Sequence, residues 1–276
     1  MILVADSGST KTAWSVFGKG VSASLFETVG INPVRDSEAA ILAVLDDVAV
    51  WLKDVRVEQV FFYGAGCVSP YAEVVERVLH SVFEHAVIAV ESDLLGAARA
   101  LCGHQAGIAC ILGTGSNSCY YDGERIVSNV SPLGWILGDE GSGAVLGRQL
   151  VGDVLKGQLP ATVCAAFEER FHLTRTDIIE AVYRQPLPNR FLASLVPFLS
   201  EQLAEPAIHA FLVREFRRFF VRNVVVYGHP ELPVHFVGGI ASHFPKELSE
   251  AAELEGFGVG RIEGSPILDM TRFHGG

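Results

Sequence analysis

Short apolar runs alternate with stretches of helical periodicity through the first hundred residues, the pattern of an α/β protein. Ile2 to Ala5 and Thr12 to Phe17 flank a glycine turn, as the arms of a hairpin do. Ile41, Val44, Leu45, Val48 and Leu52 recur at helical spacing, and Gln59 to Tyr63 then reads as a buried strand. Ser69-Pro70 predicts a helix start, because serine can cap free N–H groups and proline suits the first turn. Val74, Val75, Val78, Leu79, Val82 and Phe83 would be that helix's buried stripe, and Ala86 to Val90 a further strand.

A second cycle begins near His104. Gly107 to Leu112 is an apolar run that ends in Gly113-Thr114-Gly115-Ser116 and leads into the strand-like Asn117 to Tyr121. Strand, glycine turn and strand thus occur once in each half of the chain. Most of 141 to 228 reads as helices, interrupted around Pro186-Leu187-Pro188, before a strand at Val234 to Val237 and the pair Gly238-Gly239. The chain has 276 residues, which suits two domains. The pattern places one over 1–103 and the other over 104–264.

Composition removes several functions. Hydrophobic residues make up 49% and charged residues 19%, a balance that buries a sizeable core rather than leaving a disordered chain. The net charge of -11 would repel a phosphate backbone, so no nucleic-acid partner is expected. Arg214, Arg217, Arg218 and Arg222 fall on one helix face beside Phe216, Phe219 and Phe220, which reads as a solvated stripe over a buried aromatic face. The five cysteines include no CxxC pair, against zinc, a disulfide framework or a redox motif. Met1 runs straight into a strand and no apolar run reaches membrane-spanning length, so a cytoplasmic protein without membrane contact is expected.

Four apolar strands end in residues suited to ligand chemistry, and in open α/β sheets ligands lie outside the carboxyl ends of strands. Gly8-Ser9-Thr10 and Gly113 to Ser116 are small-residue turns whose N–H groups and hydroxyls can surround phosphate oxygens; an ordinary hairpin turn is the plain alternative. Asp6 suits a Mg²⁺ site, since that ion keeps several waters and takes one or two protein oxygens; a turn aspartate capping backbone N–H groups is the plain alternative. Asp93, between a strand and an Ala-rich helix, is either the helix N-cap or a base that accepts a proton from an attacking hydroxyl. In Gly134-Trp135-Ile136-Leu137-Gly138-Asp139-Glu140-Gly141-Ser142-Gly143 two adjacent carboxylates precede a helix, where they complement its dipole or act as acceptors for a sugar's hydroxyls. No Walker or Gly-x-Gly-x-x-Gly string is present.

Asp6-Ser7-Gly8-Ser9-Thr10-Lys11-Thr12, Asp93, Leu112-Gly113-Thr114-Gly115-Ser116-Asn117-Ser118 and Gly134 to Ser142 resemble, in order and spacing, the N-acetylglucosamine kinases and the wider BadF/BadG/BcrA/BcrD-type ATPases of the actin/hexokinase superfamily. The resemblance implies two ribonuclease-H-like (actin-like ATPase) domains flanking a nucleotide cleft, with residues 265–276 returning to the first. It implies ATP and Mg²⁺ as cofactors and an amino sugar, above all N-acetylglucosamine, as the substrate phosphorylated. Gly8, Ser9, Thr10 and Lys11 look like the first phosphate site, Gly113, Thr114, Gly115 and Ser116 like the second, and Gly238 and Gly239 like the adenosine turn. Asp6 looks like the Mg²⁺-associated carboxylate and Asp93 like the catalytic base. Asn32, Trp135, Asp139 and Glu140 look like the sugar site. Ser7 stands where the family often has glycine. A homodimer is left open. An ATP-driven activator of the iron-sulfur type is the competing reading, and it would need the clustered cysteines that this chain lacks; a non-catalytic sugar or nucleotide sensor is another.

Overall fold

The computed structural model describes residues 1–8, 10–53 and 55–275. The chain divides into two compact units: Met1–Gln105 with Tyr121–Ile126 and Ser265–Gly276, and Ala106–Tyr120 with Val127–Gly264.

The elements of the first unit are β1 (Ile2–Ser7), β2 (Lys11–Gly18), β3 (Val21–Val29), α1 (Glu38–Leu52), β4 (Gln59–Gly64), α2 (Ala72–Val82), β5 (Val87–Ser92) and α3 (Asp93–Cys102). Their sheet has the order β3-β2-β1-β4-β5. β1 runs antiparallel to β2 and parallel to β4, which runs parallel to β5. Central β1 is covered on both faces, which is why Leu3, Val4 and Ala5 form a continuous apolar run and not an alternating one. α1 starts where Ser37 Oγ accepts from Ala40 N, and it buries Ile41, Leu45, Val48 and Leu52. α2 differs from expectation: it begins at Ala72, after a turn in which Tyr71 N and Ala72 N both donate to Val68 O. Ser69 therefore caps nothing there.

The second unit contains β6 (Gly107–Leu112), β7 (Ser116–Tyr121), β8 (Ile126–Val130), α4 (Gly134–Leu137), α5 (Gly143–Leu155), α6 (Ala161–Phe171), α7 (Arg175–Tyr183), α8 (Pro188–Ser194), α9 (Pro197–Glu201), α10 (Pro206–Asn223), β9 (Val234–Val237), α11 (Gly239–His243), α12 (Pro245–Leu254) and β10 (Val259–Glu263). Its sheet order is β10-β9-β6-β7-β8, the strand order of the first unit repeated. Each sheet thus places its first strand centrally, with the two following strands on one side and two parallel crossover strands on the other. This is the ribonuclease-H-like arrangement, present twice. Phe211, Phe216, Phe219 and Phe220 of α10 are buried in the second core. Arg214, Arg217, Arg218 and Arg222 on the outer face pair with Asp153 and Glu215, Glu255, Glu215, and Glu140 respectively, so the arginine stripe is a set of internal ion pairs.

The last helix, α13 (Ile267–Gly275), packs in the first unit against α3, β1 and β2. Ile267 and Met270 are buried there, and Thr271 Oγ1 donates to Ser15 Oγ at 2.8 Å. His274 Nε2 lies 2.8 Å from the Tyr63 hydroxyl, to which Arg99 also donates at 2.8 Å. Burial, helped by the Arg99 charge, pulls the His274 pKa down to about 4, so the ring that meets the tyrosine hydroxyl is neutral.

Candidate active site

The two units each present a group of site residues, built by the corresponding strand ends. In the first, Ser7, Gly64 and Ser92 are in register across β1, β4 and β5. Asp6 and Asp93 therefore flank the carboxyl end of β4, with backbones about two strand spacings, ~10 Å, apart. Asp93 is the first residue of α3, but the N-cap is Ser92, whose Oγ accepts from Leu95 N. Asp93 Oδ1 accepts from Leu94 N at 2.9 Å. Burial outweighs these bonds and raises the Asp93 pKa to about 6. Asp6 is pushed further, to about 7, by burial and then by the Asp93 charge, with Lys11 opposing. The same two causes push the Cys67 thiol up to about 12. Two carboxylates and a thiol thus share one poorly solvated space.

Ser7 has a role that the sequence did not suggest. Its side chain is fully buried, 2.7 Å from Thr12 Oγ1, and its Oγ accepts from Ile31 N at 3.0 Å. This ties the segment carrying Asn32 to the end of β1. Asn32 Oδ1 accepts from Val34 N at 3.0 Å, while Asn32 N donates to Asp36 Oδ2 at 2.8 Å. Its Nδ2 has no protein partner among the described residues. Gly66, at φ +80, lies against this side chain so closely that a Cβ there would stand 2.6 Å from Asn32 Oδ1. In the first turn, Gly8 N donates to Lys11 O. Ser9 lies outside the described residues. Thr10 is exposed, and Lys11 Nζ is held by Glu27 Oε1 at 2.6 Å in an exposed pair. Such pairs are worth about 0–1 kcal/mol, so the lysine can leave it for a phosphate.

In the second unit the turn after β6 has its carbonyls occupied: Gly143 N donates to Gly113 O and Ala144 N to Thr114 O. The N–H groups of Thr114 and Gly115 have no partner among the described residues, as a phosphate-binding turn requires. Ser116 is buried, and the backbone N–H groups of Ser116 and Gly134 near the Asp139 carboxylate favour its ionised form. Burial still raises Asp139 to about 6, and the neighbouring Glu140 adds to this. Asp139 adopts φ +53, unusual for a non-glycine, and so joins the phosphate turn to the Gly134 segment. Glu140 departs from its expected place: it is buried, paired with Arg222, and accepts from Asn223 Nδ2 at 3.2 Å. Both oxygens are thus directed into α10, and Glu140 braces the loop within the unit. Trp135 is half-buried against the second core, and its carbonyl accepts from Arg148.

A cavity of about 330 Å³ adjoins the second turn, lined by Gly113, Thr114 and Gly143, by Ala193, Val196, Pro197 and Ser200, and by Gly239, Ile240, His243 and Phe244. A Cβ on Gly113 or Gly239 would meet nothing within 4 Å, so bare backbone faces open space at both. Gly238 is the reverse: at φ +121, a Cβ there would lie 2.3 Å from Leu112 O. Its place among expected ligand residues is therefore a packing role, holding β9 against β6. These features fit a nucleotide: an apolar-walled recess for a base beside a turn with free N–H groups. Ser200 and His243 carried no signal in the sequence, since neither belongs to a glycine motif. The donor set in the first unit fits Mg²⁺. Two hard carboxylates repel each other, and the described residues contain no cluster of three or more His, Cys, Asp and Glu side chains, so waters and phosphates would supply the other ligands.

No family model matches the sequence, and no curated protein is similar to it. Solved structures are. A Porphyromonas gingivalis protein, provisionally named an N-acetylglucosamine kinase, is 47% identical, with a TM-score of 0.95 over 99% of this chain and 98% of that one. A Chromobacterium violaceum protein, named in the same provisional way, is 18% identical with a TM-score of 0.76 over 99% and 98%. The ROK hexokinase of Thermus thermophilus is 15% identical with a TM-score of 0.54 over 99% and 97%. The last two share the fold; the first, nearly half identical along its whole length, shares the family. With its duplicated ribonuclease-H-like units and a relative nearly half identical over its whole length, the chain belongs to the N-acetylglucosamine kinase-like family of actin-like ATPases represented by the Porphyromonas gingivalis protein.

Proposed function

We propose that this protein transfers the γ-phosphoryl group of ATP to a hydroxyl of an amino sugar, with N-acetylglucosamine and its 6-phosphate as substrate and product. The observation that carries this reading is the buried Asp93 carboxylate, held at the start of α3 with its pKa raised to about 6. A base acting near neutrality needs that shift, because it must be ionised to act and basic enough to take the proton. Asp93 accepts the proton of the sugar hydroxyl; that oxygen forms the new bond to the γ-phosphorus as the bond to the β-phosphate oxygen breaks and ADP leaves. Asn32 Nδ2 and the Trp135–Asp139 segment orient the sugar. The Thr114 and Gly115 N–H groups, the first turn and Lys11 hold the phosphates, and positioning with charge neutralisation supplies most of the acceleration. Asp6 would hold Mg²⁺ or its waters, and the ion would supply neutralisation of charge on the phosphates.

No helix among the described residues is long and apolar enough to cross a membrane, and we place the reaction in the cytoplasm, where ATP is available. The test is an ADP-coupled assay across hexoses, hexosamines and N-acetylhexosamines. Turnover stimulated by N-acetylglucosamine, with the phosphate on O6 by NMR, is expected; no stimulation by any sugar in the panel would overturn the proposal.

A further inference from the structure

The second unit holds another recess, between α5 and α7. In α5, Arg148, Val151, Gly152, Leu155 and Lys156 recur at three- and four-residue spacing and so share one face of the helix. The same spacing sets Arg175, Ile178, Ile179, Val182 and Tyr183 on one face of α7. Both helices pack on α8, and the two faces line a cavity of about 630 Å³ together with Leu192 of α8. Trp135 and Ile136 of α4 complete the lining, whereas neither Asp139 nor any residue of the Gly113 to Ser116 turn belongs to it.

Two observations show that α5 and α7 leave this space open. A glycine inside a helix costs stability relative to alanine, yet a Cβ on Gly152 would meet nothing within 4 Å, so no neighbouring atom requires the glycine. What its missing side chain does is enlarge the cavity. Leu155, Ile179 and Tyr183 also stay exposed, although a closer approach of the two helices would bury them.

Charge narrows the choice of occupant. Arg148, Lys156 and Arg175 line the cavity and no acidic side chain does, in a chain whose net charge is -11. Lys156 Nζ and the Arg175 guanidinium have no hydrogen-bond or ion-pair partner among the described residues. Half-buried Arg148 gives Nη1 to the carbonyls of Trp135 and Ile136 and keeps its remaining N–H groups unengaged among those residues. Apolar walls with unpaired cations match a molecule that combines an apolar body with an anionic head.

We propose that this cavity is a binding site for a small amphipathic anion, with an aromatic or acyl body held between α5 and α7 and a phosphate or carboxylate head paired with Arg148, Lys156 and Arg175. The site goes beyond the kinase reading and does not rest on it.

Calorimetry on the full chain tests it. 1-Naphthyl phosphate and decanoate probe the two kinds of body and head, and 1-naphthol and inorganic phosphate are the separate halves of the first. At least one of the two anions is expected to bind, with 1-naphthyl phosphate or decanoate about tenfold or more tighter than either half. Saturating Mg²⁺-ATP and N-acetylglucosamine should leave that Kd unchanged. Gly152→Leu fills the space and should abolish binding, with the melting temperature unchanged or raised because leucine is the better helix former. Lys156→Gln combined with Arg175→Gln should weaken the anion about tenfold while leaving 1-naphthol within about twofold. The proposal is overturned if neither anion binds, if ATP or sugar displaces the anion, or if either variant binds it like wild type. A dimer that Tyr183→Ser dissociates in sedimentation, in a protein that binds neither anion, would assign the cavity to a second copy of the chain instead.

Discussion

Gly238 and Gly239 are neighbours in the chain with opposite surroundings: a Cβ on the first would collide with Leu112 O at 2.3 Å, and one on the second would meet nothing within 4 Å. Alanine should separate packing from binding at this pair. Gly239→Ala is expected to keep its melting temperature while its Kd for ATP rises about tenfold or more, because the methyl group occupies space meant for ligand. Gly238→Ala should lose about 3 kcal/mol or more of stability, from the backbone clash and the positive φ together. Denaturant melts and calorimetry read both. Equal loss of stability in the two variants would show that the space at Gly239 has no ligand role.

Asp93→Asn should lower kcat by about 10²–10⁴, the usual worth of a general base, with ATP affinity largely retained. Wild-type activity kept by this variant would remove Asp93 from the mechanism.

The two buried carboxylates also set the pH dependence. Asp6 and Asp93, raised to about 7 and about 6, must be ionised to hold a cation and to take a proton respectively, so kcat/KM should rise with pH through about 7 and level off above it. Because they interact, the limb reports the pair rather than either residue. The same shifts cost stability. Below pH ~4 the Asp6 carboxyl is protonated whether the chain is folded or not; as the pH rises towards 7 the folded state retains a proton that the unfolded state has lost, and folding weakens. Asp6→Asn should therefore melt higher than wild type at pH 8, by on the order of a few kcal/mol, and no higher at pH 4. A variant destabilised at pH 8 would contradict this.

Gly66→Ala drives a methyl group towards Asn32 Oδ1, at 2.6 Å. A rise of tenfold or more in KM for sugar is expected, with KM for ATP unchanged, and Asn32→Ala should reproduce the pattern. Unchanged sugar kinetics in both variants would exclude this loop from the acceptor site.

The strands that build the site were legible because they are covered on both faces: Leu3 to Ala5, Phe62 and Tyr63, and Ile108 to Cys110 are apolar without interruption. β3, β8 and β10 were not legible. β3 has Ser22, Ser24 and Glu27 along an exposed edge, and β10 is the short Val-Gly-Arg-Ile-Glu, so neither has a buried stripe to betray it. The start of α2 was misplaced because Ser69-Pro70 has capping chemistry while the chain makes another turn first. Among candidate site residues, Asp6, Asp93 and the glycine turns announced themselves by position after apolar runs. Glu140 misled because a carboxylate between glycines gives no sign of Arg222, which is far along the chain. Ser7 was hidden for the same reason, since its significance lies wholly in partners that only folding defines.

The return of α13 to the first unit imposes an order on biosynthesis. Val127 to Gly264 leaves the ribosome as one uninterrupted stretch and can consolidate early. The sheet bearing Asp6 must wait for Ile267, Met270 and His274, which are made after all of it, to cover Val4, Ala13 and Tyr63. Asp6 and Asp93 thus gain their final packing only once the end of the chain has been made, after the segment bearing the second turn.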